Sequence, residues 1–219
     1  MPYLLVLLQS GFSDYSKHSP ISPYNYCVRI IAGKLKGREI NVPRGSKIRP
    51  ATGAIRETVM NLYGDNLAAG PFVDICAGSG LVGFEALSRG APHVVFVEAD
   101  RATASRIKYQ AKEFGVADAV SVLCLDGRRC FKGVQKALKN DPPMCIFLDP
   151  PYIIGMAGDL LGRLGRHSSV IDQQGMVIIR AMEKLPTDVP GLRHESHREA
   201  GRHWIYTYSP NPDPGDTTP

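Results

Sequence analysis

From Phe72 onward, short apolar blocks alternate with longer amphipathic stretches. Phe72 to Cys76 precedes a helical pattern over Leu81 to Arg89, Val94 to Glu98 precedes Arg101 to Phe114, and Val120 to Leu125 precedes Arg128 to Lys139. Cys145 to Leu148, a helix near Met156 to Leu164, and Met176 to Ala181 continue the series. Strands that are apolar at nearly every position are buried on both faces. The pattern therefore predicts an α/β fold, a mostly parallel sheet with helices on both sides. Gly90 and Gly115 stand where helices should end. Leu192 to His197 and His203 to Tyr208, around Ala200-Gly201, read as a hairpin of antiparallel strands and bring the expected sheet to seven.

A smaller unit lies ahead of this domain. Cys27 to Ala32 and Arg38 to Val42 flank Gly33-Lys34-Leu35-Lys36-Gly37, which predicts a hairpin with a basic tip. Pro43 to Pro50 reads as a loop. Thr52 is placed to cap a helix running to about Tyr63, with Ile55, Val59 and Leu62 on one face and Gly64 as its stop. The expected layout is a flexible extension over 1–26, a small basic hairpin and helix over 27–66, the α/β domain over 67–209, and a disordered Pro-, Asp- and Thr-rich tail over 210–219.

Composition changes this picture in one respect. The 219 residues are 43% hydrophobic and 21% charged, ordinary for a globular protein, and the net charge is +5. Residues 29 to 56, however, hold eight Lys and Arg against the single acid Glu39, so this segment is +7 and the rest of the chain −2. Such a block ahead of a near-neutral domain is the footprint of a polyanion partner; a solvated basic surface is the bland alternative. Arg29, Lys34, Lys36, Arg49 and Arg56 are the candidate phosphate contacts, with pairing to Glu57 or capping of the fold as the alternative for the last two. Five cysteines without a C-x-x-C pair suggest reduced thiols, a cytoplasmic location and no metal site. The apolar run Leu4 to Leu8 is too short to span a membrane, and the first basic residue is Lys17. Oligomeric state has no signature, leaving a monomer by default.

The chemistry concentrates at Asp149-Pro150-Pro151-Tyr152, which closes the apolar run Met144 to Leu148. Two prolines stiffen the backbone and remove two N–H donors, leaving local carbonyls free as acceptors beside a carboxylate and a ring able to stack on an extruded base. Asp149, Pro150 and Tyr152 are therefore the candidate catalytic residues, with Pro151 against the substrate. Asp74-Ile75-Cys76-Ala77-Gly78-Ser79-Gly80 follows the first strand of the domain and opens a helix, a turn suited to a nucleotide-like cofactor. Gly78, Gly80 and Gly83 also satisfy G-x-G-x-x-G with Glu98 at the distance of a dinucleotide's ribose-binding acid, so a nicotinamide-dependent dehydrogenase is the rival reading.

Asp74 favours a cationic cofactor, because a carboxylate there would repel a pyrophosphate but could meet a methionine ammonium. Asp126 and Asp149 add carboxylates along the same sheet edge. Together these residues predict S-adenosylmethionine as cofactor and an exocyclic amine as methyl acceptor. Asp74, Ala77, Gly78, Ser79 and Gly80 would hold its tail, Glu98 the ribose hydroxyls and Asp126 the adenine amino group. As alternatives, Glu98 could be a plain surface acid, Asp126 a helix cap, and Gly83 a packing glycine.

Taken in order, these residues resemble the bacterial 16S rRNA guanine-N2 methyltransferases of the RsmD type. The resemblance runs from about Arg29 to Tyr208 and includes Arg29-Ile30-Ile31-Ala32-Gly33-Lys34, the Arg49-Pro50 and Arg56-Glu57 pairs, the Asp74 to Gly80 loop, Glu85-Ala86-Leu87-Ser88-Arg89-Gly90 and Asp149 to Tyr152. It implies a Rossmann-like S-adenosylmethionine-dependent domain acting on a guanine of 16S rRNA, in RNA or in the small subunit. Ala51, Gly53 and Ala54 depart from a second Thr and an Asp-Arg pair usual in the family, Cys76 replaces a common Phe, and Arg180 stands where an acid is frequent. DNA adenine-N6 methyltransferases share the Asp-Pro-Pro-Tyr signature, but the small front end argues against DNA, since no separate target-recognition domain is visible in the remaining length. A non-catalytic RNA assembly factor is the remaining alternative.

Overall fold

The computed structural model describes residues 25–43 and 51–211, so Arg49, most of the 1–26 extension and the tail lie outside the described residues. Strands β1 (Asn25–Arg29) and β2 (Glu39–Pro43) form a separate antiparallel pair, Arg29 opposite Glu39. Helix α1 (Gly53–Tyr63) begins at Thr52, whose hydroxyl accepts from Ile55 N–H at 3.4 Å, and ends at Gly64. A short helix α2 (Asn66–Ala69) follows; four residues are too few to carry a periodic pattern.

The main domain runs β3 (Phe72–Ile75), α3 (Leu81–Ser88), β4 (Val94–Val97), α4 (Arg101–Glu113), β5 (Val120–Leu123), α5 (Phe131–Ala137), β6 (Cys145–Leu148), α6 (Met156–Gly165) and β7 (Met176–Ala181). Strands β8 (Asp188–Val189), β9 (Leu192–Ala200) and β10 (His203–Pro210) complete it. The sheet order is β5-β4-β3-β6-β7-β10-β9-β8, with the first five strands parallel and the last three antiparallel. Eight strands stand where seven were expected. The extra one, β8, is two residues that turn back through Pro190-Gly191 onto Leu192 and Arg193, too short for alternation to mark. The expected helix over Arg128 to Lys139 is broken: a 3-10 turn at Gly127–Arg129, started by Asp126, precedes α5.

Two apolar cores lie on the two faces of the sheet. One contains Val73, Ile146, Leu148, Leu160 and Leu164. The other joins Phe72, Phe84, Leu87 and Phe147 to Ile30, Leu35, Ile40, Ile55 and Val59, so the front unit shares a core with the main domain. Its docking is specific. Glu85, fully buried on α3, accepts from the Ile31 and Ala32 backbone N–H groups at 2.9 and 3.1 Å, and Ser88 O accepts from Lys34 N–H at 2.8 Å. Gly33 makes this approach possible: its φ is +82°, and a Cβ there would lie 1.8 Å from the Ser88 carbonyl oxygen. The hairpin tip is thus pinned by its backbone, while the Lys34 and Lys36 side chains remain exposed.

Candidate active site

After β3 the chain order switches, β4 lying on one side and β6 on the other. Crevices at such switch points, beyond the carboxyl ends of parallel strands, are where this architecture binds ligands. A cavity of about 570 Å³ lies there, within the size range of small-molecule sites. It is lined by Asp74, Ala77, Gly78, Ser79, Glu98 and Asp126, and also by Asp149, Pro150, Pro151 and Tyr152. The glycine turn and the Asp-Pro-Pro-Tyr corner therefore face one space.

Local conformation explains the turn. Cys76, Gly78 and Gly80 have φ of 65°, 55° and 76°, which folds the chain back between β3 and α3. Gly80 precedes α3 and shapes the turn rather than lining the cavity. Gly83 serves packing: a Cβ there would sit 2.3 Å from the Phe96 ring. Its N–H donates to Asp74 Oδ2 at 2.9 Å. Burial drives the Asp74 carboxyl up to about 8, the Gly83 N–H opposing and the charges of Asp149 and Glu98 adding. Glu98 braces the loop, accepting from Gly78 N–H at 2.8 Å and from Asp100 N–H at 2.9 Å. Asp126 accepts from Arg128 N–H at 2.9 Å and pairs with its guanidinium at 2.6 Å. That side-chain bond, with the backbone bond, holds its carboxyl down at about 2. Asp126 thus caps a turn and lines the cavity at once. Leu125 adds an exposed apolar surface beside it.

At the opposite wall, Asp149 N–H donates to Ile75 O at 3.1 Å, tying the corner to β3. Its carboxylate receives Arg180 Nε and Nη2 at 2.7 and 2.6 Å. Burial raises the Asp149 pKa and the Arg180 guanidinium counters it. Tyr152 is exposed; its hydroxyl lies 3.2 Å from His203 Nε2, and the Arg180 guanidinium sits 5.7 Å from its ring centroid. A second hollow of about 220 Å³ shares Pro150, Pro151, Tyr152 and Arg180 and is completed by Ile153, Ile154, Met182 and Glu183 among others. Ile154 is 95% exposed, so the surface beside the corner is unusually apolar.

The basic candidates separate. Lys34, Lys36 and Arg29 are at the surface, Arg29 paired with Glu39 at 2.9 Å. Arg56 is a correction: it is 3% exposed, donates to the Ala51 and Arg29 carbonyls at 2.8 and 3.1 Å and lies 3.7 Å from Glu85, so its charge is spent inside the fold. Its partner acid is Glu85, not Glu57. Arg180 and His203 escaped the sequence reading. Arg180 showed only as a departure from the family pattern, and neither residue is near Asp149 in the chain. Among the described residues no group of three or more His, Cys, Asp and Glu could hold a metal, and no helix is long and apolar enough to cross a membrane.

A glycine turn and an acidic corner walling one cavity across the switch point define a methyltransferase of the Rossmann-like class. The model of the family described as conserved hypothetical protein 95 matches residues 28–209. The chain belongs to this family, together with the ribosomal RNA small subunit methyltransferases D. The Escherichia coli K12 protein of that name is 30% identical over 173 residues, 78% of this chain and 83% of the relative. That of Haemophilus influenzae is 32% identical over 142 residues, 63% and 70% of the two chains. A solved Escherichia coli structure with a provisional methyltransferase name superposes with a TM-score of 0.72 at 26% identity, over 85% of this chain and 99% of that one.

Proposed function

We propose that this chain transfers a methyl group from S-adenosylmethionine to the exocyclic N2 amine of a guanine in 16S ribosomal RNA, alone or within the small subunit. The observation that carries the reading is that Asp149, Pro150 and Tyr152 line the same cavity as Asp74, Gly78, Glu98 and Asp126. The cofactor, when bound, supplies an electrophilic methyl on a cationic sulfur. The acids around the cavity suit that charge, Asp74 facing the ammonium, Glu98 the ribose hydroxyls and Asp126 the adenine amino group.

A guanine amine is a poor nucleophile because its lone pair is delocalised into the ring. Asp149 and the Pro150 carbonyl accept its two N–H groups, drawing the nitrogen toward tetrahedral geometry with the lone pair aimed at the methyl. The Asp149 carboxylate is also placed to receive the proton that the nitrogen sheds after transfer. Tyr152 holds the base by stacking, worth about 1 to 3 kcal/mol, and the apolar hollow beyond it takes the ring edge. Alignment of the reacting atoms supplies most of the rest, on the order of 7 to 11 kcal/mol. Lys34, Lys36 and Arg49 provide phosphate contacts. All five cysteines are free thiols, in keeping with a cytoplasmic enzyme.

The test is incubation with labelled S-adenosylmethionine and, in parallel, 16S rRNA, assembled small subunits and duplex DNA, followed by nucleoside analysis. N2-methylguanosine from either RNA substrate is the expected product. N6-methyladenine in DNA, or no product with any substrate, would discard the reading.

A further inference from the structure

Among the described residues, Arg180 is the one arginine that lines the cavity. It lies on β7, the sheet neighbour of β6, one residue past the Leu148–Ile179 pair and so beside Asp149, and its side chain is 4% exposed against 16% for Asp149. Both donors of one edge of the guanidinium meet the two carboxylate oxygens, the bidentate geometry that fixes a carboxylate's plane as well as its charge. A carboxylate has about four acceptor positions, of which this clamp uses two. The remaining exposure of Asp149 is to the cavity.

The surroundings make a cation necessary. Asp149 is faced by Asp74 from β3, by the Cys76 thiol after it, by Arg180 from β7, and, across Tyr152, by His203 from β10. The first is a like charge when ionised, and burial keeps the Cys76 thiol above its ordinary range and lowers His203 below its own. His203 Nδ1 is buried without a hydrogen-bond partner, as fits a neutral ring. Arg180 is therefore the permanent positive charge against the acceptor.

We infer that Arg180 is the positioning residue of this reaction: it sets the plane of the Asp149 carboxylate and keeps it an ionised acceptor, turning the free lone pairs toward the substrate amine. The inference rests on the proposed role of Asp149. The experiment is the pH–rate profile of Arg180→Met and Arg180→Lys on the RNA substrate that the unaltered protein methylates, with S-adenosylhomocysteine binding measured by calorimetry. Without the guanidinium, burial acts on Asp149 unopposed, so its proton is lost at higher pH. In Arg180→Met the acidic limb should move up by about 1 to 3 pH units, with kcat on that limb reduced accordingly and S-adenosylhomocysteine affinity nearly unchanged. Arg180→Lys should shift the limb less. If Arg180→Met fails to bind S-adenosylhomocysteine, the Arg180→Lys profile decides by the same criterion. Added to Asp149→Ala, Arg180→Met should cost little further activity, since it acts through the group already removed.

An unmoved acidic limb, or losses that multiply in the double variant, would reduce Arg180 to packing and overturn the inference. Near-normal turnover in Asp149→Ala is a different result: it removes Asp149 from the chemistry, and the inference falls with that reading.

Discussion

Two carboxylates, Glu85 fully buried on α3 and Asp149 half-buried just past β6, are each gripped by arginine, yet one closes a seam and the other lines a cavity. Glu85 takes two backbone N–H groups from the front hairpin, an ion pair with Arg89 at 3.0 Å and a longer one with Arg56. Three of its roughly four acceptor positions are filled and the side chain is fully buried, so what it does is hold the hairpin onto α3. Asp149 has the stronger single partner in Arg180, but that clamp leaves one side of the carboxylate toward the cavity. What separates a structural acid from a working one here is spare acceptor capacity at an open surface.

Removing each acid tests that contrast, and the active-site acid gives the larger effect. Asp149→Ala deletes the acceptor for the substrate amine, so turnover should fall by at least about 10² to 10³-fold, as loss of one preorganised hydrogen-bonding group does elsewhere. Affinity for S-adenosylhomocysteine, measured by calorimetry, should survive, because the glycine turn and Glu98 are untouched. A variant turning over at near-normal rate would eliminate Asp149 from the chemistry. Glu85→Ala should act in the opposite sense, on stability first. It strands Arg56 as a buried cation without its acid, a class of change that costs about 3 to 5 kcal/mol. The measurement is chemical denaturation, together with amide exchange at Ile31, Ala32 and Leu35, which should speed up as the hairpin undocks. Unchanged protection at those amides would show that the apolar contacts of Ile30 and Leu35 suffice.

The same comparison explains what was legible in the chain. Strands β3, β4 and β6 are apolar at three or four of four positions, and a period that unambiguous fixed their limits within a residue or so. Thr52 and Gly64 marked both ends of α1 because capping is local chemistry. The glycine turn and the corner were readable for the same reason, each being contiguous. The arginines were not. Arg56 sits in a run of basic residues and looked like a phosphate contact; Arg180 sits in an apolar strand and looked like an anomaly. Their roles depend on which acid lies across from them, Glu85 at 29 residues' distance and Asp149 at 31, and nothing local encodes that pairing.

A third acid, the buried Asp74, sharpens the contrast by titration. With its carboxyl pushed up to about 8, it is mostly protonated at neutral pH when no cation is near. An ammonium binding beside it favours the ionised form, so binding must expel a proton, and linkage then requires affinity to rise with pH. Between pH 6 and 7.5, below the range where an amino ligand loses its own proton at about 7.7 to 8.0, S-adenosylhomocysteine should bind several-fold more tightly with each step upward. Calorimetry in buffers of different ionisation enthalpy reads the released proton directly. Binding that is flat over this window, with no buffer dependence, would mean that Asp74 does not meet the ammonium.

The smallest effect concerns the surface that the two arginine clusters leave behind. With Arg56 consumed inside the fold, the exposed cations at the very tip of the front hairpin are Lys34 and Lys36, held outward on a turn whose own backbone is bonded to α3. A charge fixed to a rigid tip loses little entropy on contact, but each phosphate contact is worth only its share of counterion release. Lys34→Ala and Lys36→Ala should each flatten the plot of log K against log salt by about 0.7 to 0.9, leaving unfolding stability and S-adenosylhomocysteine binding alone. Arg56→Met should do the reverse, lowering stability while the slope for the folded protein stays where it was. If Arg56→Met flattens the slope as much as the lysine changes do, the hairpin moves when RNA binds and its seam with Glu85 is not the fixed joint described above.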